Sequence, residues 1–415
     1  MPERTDTAPD NTDTPEEPTT FGQRVRHARE AAGRTRPVVG GLIGRSPEWV
    51  KAIETGRLGI PRLPLLLRLA DVLDVEMADL TGDERLATSS YTKAAHSALP
   101  KIRAALTRYH LTPTAEPEAV RVLQARVRRA WTTWHAAGEH RTAVAELLPG
   151  LLTDLQKAAR AYDGTDRRRV LVALTEALHL VQLYLAFQPA PELVMLASDR
   201  AMTAAQDADS PRAIASAAWY AGHTLRGTGD RHEARVDLAM QAAGLLRAGD
   251  DPEDVARRGL LQLAVALSYA KLGRRGDAER HWDRAGEAAG RLGEYAHPYL
   301  IFGQGMVDAY AITIYADLPH GREAVRAAEA VDLGGVPSAT RRSFHMIETA
   351  RAYSLQREPV SAVHMLKRAY DESPETAQFN TFTRTTVTEL AETGPALIRE
   401  EARALRLKLG LRPAA

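Results

Sequence analysis

The stretch Arg45-Ser46-Pro47-Glu48-Trp49-Val50-Lys51-Ala52-Ile53-Glu54-Thr55-Gly56-Arg57 decides the reading of this chain. Ser46 is a natural N-cap, whose hydroxyl accepts a backbone N–H; Pro47 suits the first helical position, and Glu48 sits where the positive end of the helix dipole favours an acid. Gly56 supplies the stop. Upstream, Phe21 to Ala32 places Phe21, Val25, Ala28 and Ala32 on one helical face, and Gly33 ends it. A second short helix follows from Thr35, with Val38, Val39, Leu42 and Ile43 as its apolar side, and Gly44 turns the chain into the Ser46 helix. Two short helices joined by a Gly-containing turn, the second exposing polar residues near its N-terminus, form a helix-turn-helix suited to a major groove. Leu63 to Val75 predicts a buried fourth helix and Met77 to Leu80 a short fifth.

These residues resemble the lambda-repressor-like, or XRE, family of DNA-binding domains over roughly residues 20 to 82. The resemblance rests on Gly33 after helix 1, Gly44 eleven residues later, and the ending Val50-x-x-Ile53-Glu54-x-Gly56 of the recognition helix. It implies that Arg29 of helix 1 pairs with Glu54 as a partly buried structural ion pair, which sets the angle between helices more than it stabilises them. Two positions depart from the family pattern. Arg36, followed by Pro37, stands where a polar Gln is usual, and Gly40 replaces the small Ala between helices 2 and 3, beside Gly41. Two glycines cost helix 2 roughly 1 kcal/mol each relative to Ala.

From Phe21 to Arg62 there are nine Lys or Arg against three acids, a local balance of +6 in a chain whose net charge is +1. Basic excess is therefore concentrated where DNA would lie. Arg36, Arg45, Arg57 and Arg62 are expected to contact phosphates, which position a domain without reading sequence. Base readout is expected from Glu48, Lys51 and Ala52, accepting from cytosine, donating to guanine and meeting a thymine methyl respectively. Trp49 is either a further base contact or, more simply, a packing residue over the start of helix 1 or a neighbour of the sugar-phosphate backbone.

The chain has 415 residues, 44% hydrophobic and 26% charged, enough for a small domain and a large one. It has no cysteine, which excludes disulfides and thiolate metal sites and is compatible with a reducing cytoplasm. Residues 1–19, rich in Pro, Thr and acid, are expected to be a disordered acidic tail and carry no signal or anchor pattern. The most apolar later segment, Val170 to Phe187, is interrupted by Glu176, His179 and Gln182, which argues against a membrane span.

From about residue 92 the pattern is helical throughout and repetitive. Ala266, Tyr269, Gly273, Ala278, Trp282 and Ala285 recur in kind as Ala350, Tyr353, Ala362, Leu366, Ala369 and Pro374. These spacings are similar to tetratricopeptide (TPR) repeats, in which small residues let paired helices approach and aromatics fill the space between repeats. Weaker copies give second-helix markers at Ala143, Leu193, Ala234, Ala278, Ala324 and Ala362, 38 to 50 residues apart. The expected architecture is all-α: a five-helix DNA-binding domain at 20–82, a linker with a connecting helix at 83–117, a TPR-like α-solenoid at 118–394, and a capping helix and tail at 395–415. A generic helical domain with chance Ala periodicity is the plainer alternative.

Over nearly its whole length the chain resembles actinobacterial XRE regulators with a TPR-like C-terminal half, through Trp134 to Leu152, Leu196 to Ala205 and the Phe302-Gly303 region. Gln304, Met306 and Tyr310 stand where relatives carry Pro, Asn and His, which implies a different ligand or none. The architecture is also similar to peptide-sensing regulators of the RRNPP type. An open TPR groove would be lined by Arg128, His135, Gln182, Trp219, His223, Arg226, Met306, Thr313, Phe344 and Arg351, suiting a peptide or a partly apolar small molecule with an acidic end. No HExxH, Walker loop, Gly-x-Ser-x-Gly or cysteine nucleophile is present. His135 with His140, and His345 with Glu348, lack a third ligand and read as surface or core rather than metal sites. The sequence thus predicts a non-enzymatic, cofactor-free, cytoplasmic homodimer that binds double-stranded DNA at an inverted repeat and senses an effector; an adaptor docking a protein partner is the rival.

Overall fold

The computed structural model describes residues 20–61, 63–82, 93–111, 116–225, 232–318 and 320–411. Arg62, Arg226, the 1–19 tail and parts of the 83–117 linker lie outside the described residues. Among those described, every regular element is helical.

The N-terminal unit comprises α1 (Phe21–Ala31), α2 (Arg36–Ile43), α3 (Pro47–Glu54), α4 (Leu63–Leu73) and α5 (Met77–Thr81). Thr20 and Gln23 form a capping box at the start of α1: Gln23 N donates to Thr20 Oγ1 at 3.3 Å and Thr20 N to Gln23 Oε1 at 3.0 Å. Val25, Val39, Ile43, Val50, Ile53, Leu69, Leu73, Met77 and Leu80 make one fully buried core. Two glycines allow the helices this approach. A Cβ on Gly22 would lie 2.5 Å from the Ile53 carbonyl oxygen, and one on Gly40 would lie 2.7 Å from the Arg45 carbonyl oxygen. Gly40 is therefore a close-contact residue, and α2 runs unbroken through both glycines.

After α6 (Leu99–Thr107), helices alternate between an inner and an outer layer. The inner layer is α7 (Val120–Ala136), α10 (Gly164–Leu185), α12 (Pro211–Leu225), α14 (Pro252–Lys271), α16 (Gln304–Asp317) and α18 (Ala339–Leu355), each packed on the next. The outer layer is α8 (His140–Ala145) with α9 (Leu148–Ala161), then α11 (Pro191–Asp207), α13 (His232–Gly244), α15 (Arg275–Leu292), α17 (Gly321–Ala330) and α19 (Pro359–Glu372). This is the stacked helix-pair plan of an α-solenoid. Of the expected second-helix markers, Leu193, Ala278, Ala324 and Ala362 are fully buried and Ala143 is half-buried, but Ala234 is exposed; Ala239 and Ala242 face the core of α13 instead.

The inner layer closes on itself. α18 packs against α7, the first inner helix, and His135 on α7 shares a 2.9 Å hydrogen bond with Ser338 Oγ, 203 residues away. The short helix α20 (Pro374–Phe379) completes the clasp. Glu375 accepts from the backbone N–H and the hydroxyl of Thr142, and Ser373 Oγ donates to the Gly138 carbonyl at 3.1 Å. Arg141, buried against the rings of Trp134 and Phe379, donates to the Tyr184, Ala186 and Glu375 carbonyls. The expected open groove is thus corrected to a closed interior.

Two final helices follow, α21 (Thr381–Thr393), which packs on α4 of the DNA-binding unit, and α22 (Ala396–Lys408), which packs on α21 and α19. Arg68 of α4 donates to Thr386 Oγ1 at 2.7 Å, lies 3.2 Å from Glu389 and covers the Phe382 ring. α2 meets α18, and the turn at Gly44 approaches the Ser354 carbonyl. Arg34 is buried in this junction beside Asp317 and Asp74, and burial holds its pKa below the usual guanidinium value.

Candidate functional site

The recognition helix is built as its sequence implies. Trp49 N donates to Ser46 Oγ at 3.1 Å, Pro47 occupies the first turn and Glu48 follows it. Val50 and Ile53 are buried in the domain core, so the helix is held by one face. The opposite face presents Glu48 and Lys51 exposed and Ala52 half-exposed, with Arg45 and Arg57 exposed at its two ends. Trp49 is half-buried and packs against the core.

Glu54 anchors the far end. Its side chain is 1% exposed and takes two guanidinium partners: Arg29 Nε at 2.5 Å, with Arg29 Nη2 at 3.3 Å, and Arg36 Nε at 2.8 Å. Arg29 also donates to the Arg34 carbonyl at 2.9 Å, and its pKa is raised by the hydrogen bond to Glu54 against the opposing effect of burial. Arg36 is therefore tied to Glu54 through Nε, with 37% of its side chain exposed. It braces α2 against α3 while part of its guanidinium side chain stays at the surface. The N-termini of α2 and α3 open on a hollow of about 650 Å³ lined by Arg34, Arg36, Pro37, Pro47, Glu48 and Lys51. Two helix N-termini aimed at one face suit an anionic backbone.

The paired helices, the glycine turn and the exposed recognition face define a helix-turn-helix DNA-binding domain. Residues 20–81 match the protein-family model described as a helix-turn-helix domain, in agreement with that geometry. No curated protein matches the chain.

Of the ten residues expected to line an open groove, His135, Gln182, Trp219, Met306 and Thr313 are buried in the closed interior. His223 and Phe344 are half-buried, Arg128 is exposed and Arg226 is outside the described residues. Arg351 is committed: it donates to Asp317 at 2.5 Å and to Glu348 at 3.0 Å, and these acids raise its pKa despite burial. Gln182 bonds the Tyr220 carbonyl at 2.7 Å and Thr224 Oγ1 at 2.6 Å, fixing α10 to α12.

The interior sets His135, Trp219 and His345 among rings that the sequence did not single out. His179 stacks on Tyr220 at 4.4 Å, Trp131 lies between Tyr299 and His135, and Tyr310 meets Trp219 and the ring of His345. Burial pushes His135, His179 and His345 down to about 3, with Arg341 adding to the effect at His135 and His345, so all three are neutral near pH 7. Burial raises Glu176 to about 7, against the attraction of Arg257. Arg341, on the first turn of α18, is half-buried and reaches the Tyr310 hydroxyl at 3.4 Å. Its neighbour Arg342 is instead paired with Glu372 at 2.7 Å. Nothing in the sequence distinguishes these adjacent arginines.

No three His, Cys, Asp or Glu side chains among the described residues gather as a metal-binding group. No helix among them is long and apolar enough to cross a membrane.

Proposed function

We propose that this chain is a sequence-specific transcriptional regulator that binds an inverted repeat in double-stranded DNA as a homodimer, its helical-repeat half serving dimerisation and effector sensing. The observation that carries the reading is the division of α3: Val50, Ile53 and Glu54 lock one face into the domain while Glu48 and Lys51 project from the other. A domain of this size gains useful affinity from two half-sites, which favours a dimer. The resemblance to actinobacterial XRE regulators with TPR-like sensor halves supports the same assignment, as does the docking of α2 on α18. A closed interior suits a small molecule better than an extended peptide. No catalysis or cofactor enters this reading, and the protein acts in the cytoplasm with its DNA.

The test is retention and sequencing of genomic fragments on the purified full-length protein at near-physiological salt, beside a Lys51→Ala, Arg45→Ala double variant. An enriched inverted repeat that the variant loses is the expected result. Diffuse enrichment alike in both proteins would defeat the reading. An adaptor that docks a protein partner and is tethered to DNA is the second reading, favoured by Leu397 and Leu407 of α22, which are 82% and 68% exposed.

A further inference from the structure

The solenoid interior combines one unmatched cation with several unmatched neutral donors. Arg341 has no carboxylate within 4.0 Å among the described residues; its side-chain hydrogen bond goes to the Tyr310 hydroxyl. His135, His345 and Tyr220 all lie within electrostatic reach of its guanidinium. In the same interior the Tyr220 hydroxyl, Trp219 Nε1, His179 Nε2 and Thr313 Oγ1 are buried without a hydrogen-bond partner, and each of these residues is at least nine-tenths buried. An unsatisfied buried polar group costs about 1–3 kcal/mol, so such a cluster is concentrated where a ligand restores the bonds.

We propose that this interior binds an organic carboxylic acid with an apolar body, its carboxylate on the Arg341 guanidinium and the Tyr220 hydroxyl. A single guanidinium among neutral imidazoles matches one negative charge, whereas a phosphate dianion asks for more cationic partners. Phe344, one turn along α18 from Arg341, and Tyr299, stacked on Trp131, are half-buried and offer aromatic surface for the rest of the molecule. The site deepens, and rests on, the effector-sensing reading above. Its link to DNA is α18, which carries Arg341 near its start and Arg351 and Ser354 at the junction with the DNA-binding unit, about 15 Å along the helix.

The test uses the full-length protein with a panel of aryl and alkyl carboxylates, from benzoate and 3-phenylpropionate to decanoate, each beside its uncharged primary amide and beside inorganic phosphate. Thermal unfolding and tryptophan fluorescence report binding, since Trp131 and Trp219 lie in the interior. At least one acid is expected to bind saturably, with its amide, and the acid on Arg341→Gln, weaker by about tenfold to a hundredfold. Tyr220→Phe keeps the ring packing and is expected to weaken the acid by a smaller factor. Failure of the whole acid panel, equal binding of acid and amide, or binding of phosphate alone overturns the proposal. Operator retention is measured in the same samples: acid binding that leaves it unchanged sinks the sensing reading while the site stands. Specific DNA retention with no acid binding sinks the site alone.

Discussion

Gly40 offers a contest between two effects whose sizes differ enough to settle its role. Replacing it with Ala, the residue the resemblance leads one to expect, improves helix propensity by about 0.8–1 kcal/mol. The same Cβ would sit 2.7 Å from the Arg45 carbonyl oxygen and 3.1 Å from the Ser46 carbonyl group, all backbone atoms of the turn into α3. Ordinary carbon-to-oxygen contact needs several tenths of an ångström more, and overpacking of this kind costs about 1–3 kcal/mol. Gly40→Ala is therefore expected to lose about 1 kcal/mol net, equivalent to about 4–8 °C in the melting of a domain this small. It also displaces the Ser46 cap and with it the angle of the recognition helix. Gly286→Ala on α15 is the matched reference, because no atom lies within 4 Å of its added Cβ, and it should stabilise by the full propensity term, about 1 kcal/mol. Hydrogen exchange at α2 and α3, with fragment retention alongside, reads both effects. A Gly40→Ala protein as protected as the parent in α2 and α3, and retaining the same fragments, would refute the steric argument.

The other expectations concern charge. Glu54→Ala strands the buried Arg29 guanidinium and should cost about 3–5 kcal/mol in chemical denaturation of the DNA-binding unit, because removing one partner leaves a charge without compensation. Lys51→Ala should leave denaturation midpoints unchanged while weakening operator affinity by about 1–3 kcal/mol in a titration at fixed salt, and relaxing the base preference at one position. His135, His179 and His345 titrate at about 3 in the folded chain. The unfolded chain takes up those protons near pH 6.5, so their stabilisation is complete above that pH and is lost as pH falls, by about 1.4 kcal/mol per unit for each histidine. A denaturant series between pH 7 and pH 5 showing no such slope would contradict their burial as neutral rings. Glu176 has the opposite sign: its folded value of about 7 lies above the ordinary 4.5, so stability is lost as pH rises through that window. Glu176→Gln should recover up to about 3 kcal/mol at pH 8 and almost nothing at pH 4.

The DNA-binding unit was legible because its determinants are local. Ser46, Pro47, Gly33 and Gly44 act on backbone within one turn of themselves, and the apolar spacing of Val50 and Ile53 fixes which face of α3 is left for solvent. The tightness at Gly40 was not legible, because propensity is a property of one helix whereas its contact with the Arg45 carbonyl belongs to two. In the repeat half, helix pairing followed from small-residue spacing, but Ala234 placed the α13 register wrongly: the pattern near the helix start is set by the turn, not by the core that Ala239 and Ala242 enter. Closure of the inner layer left no periodic trace at all. It depends on Ser338, Ser373 and Glu375 meeting residues 135 to 142, and nothing local to either segment announces the other. Projecting side chains onto an open groove therefore misplaced Arg351, which has acid partners, and passed over Arg341.

That clasp also changes how the chain can fold as it is made. A linear array of repeats gains stability neighbour by neighbour, so its early helices can settle before the later ones exist. Here the first inner helix waits for a seam more than 200 residues downstream, with His135 meeting Ser338 and Thr142 meeting Glu375. Until Glu375 has left the ribosome, the side of α7 that meets α18 and the contacts of Arg141 with Phe379 and Glu375 are missing. A nascent chain at that stage is exposed to association with its neighbours. Late truncations, removing only residues from 373 onward, should for this reason damage the beginning of the solenoid as much as its end.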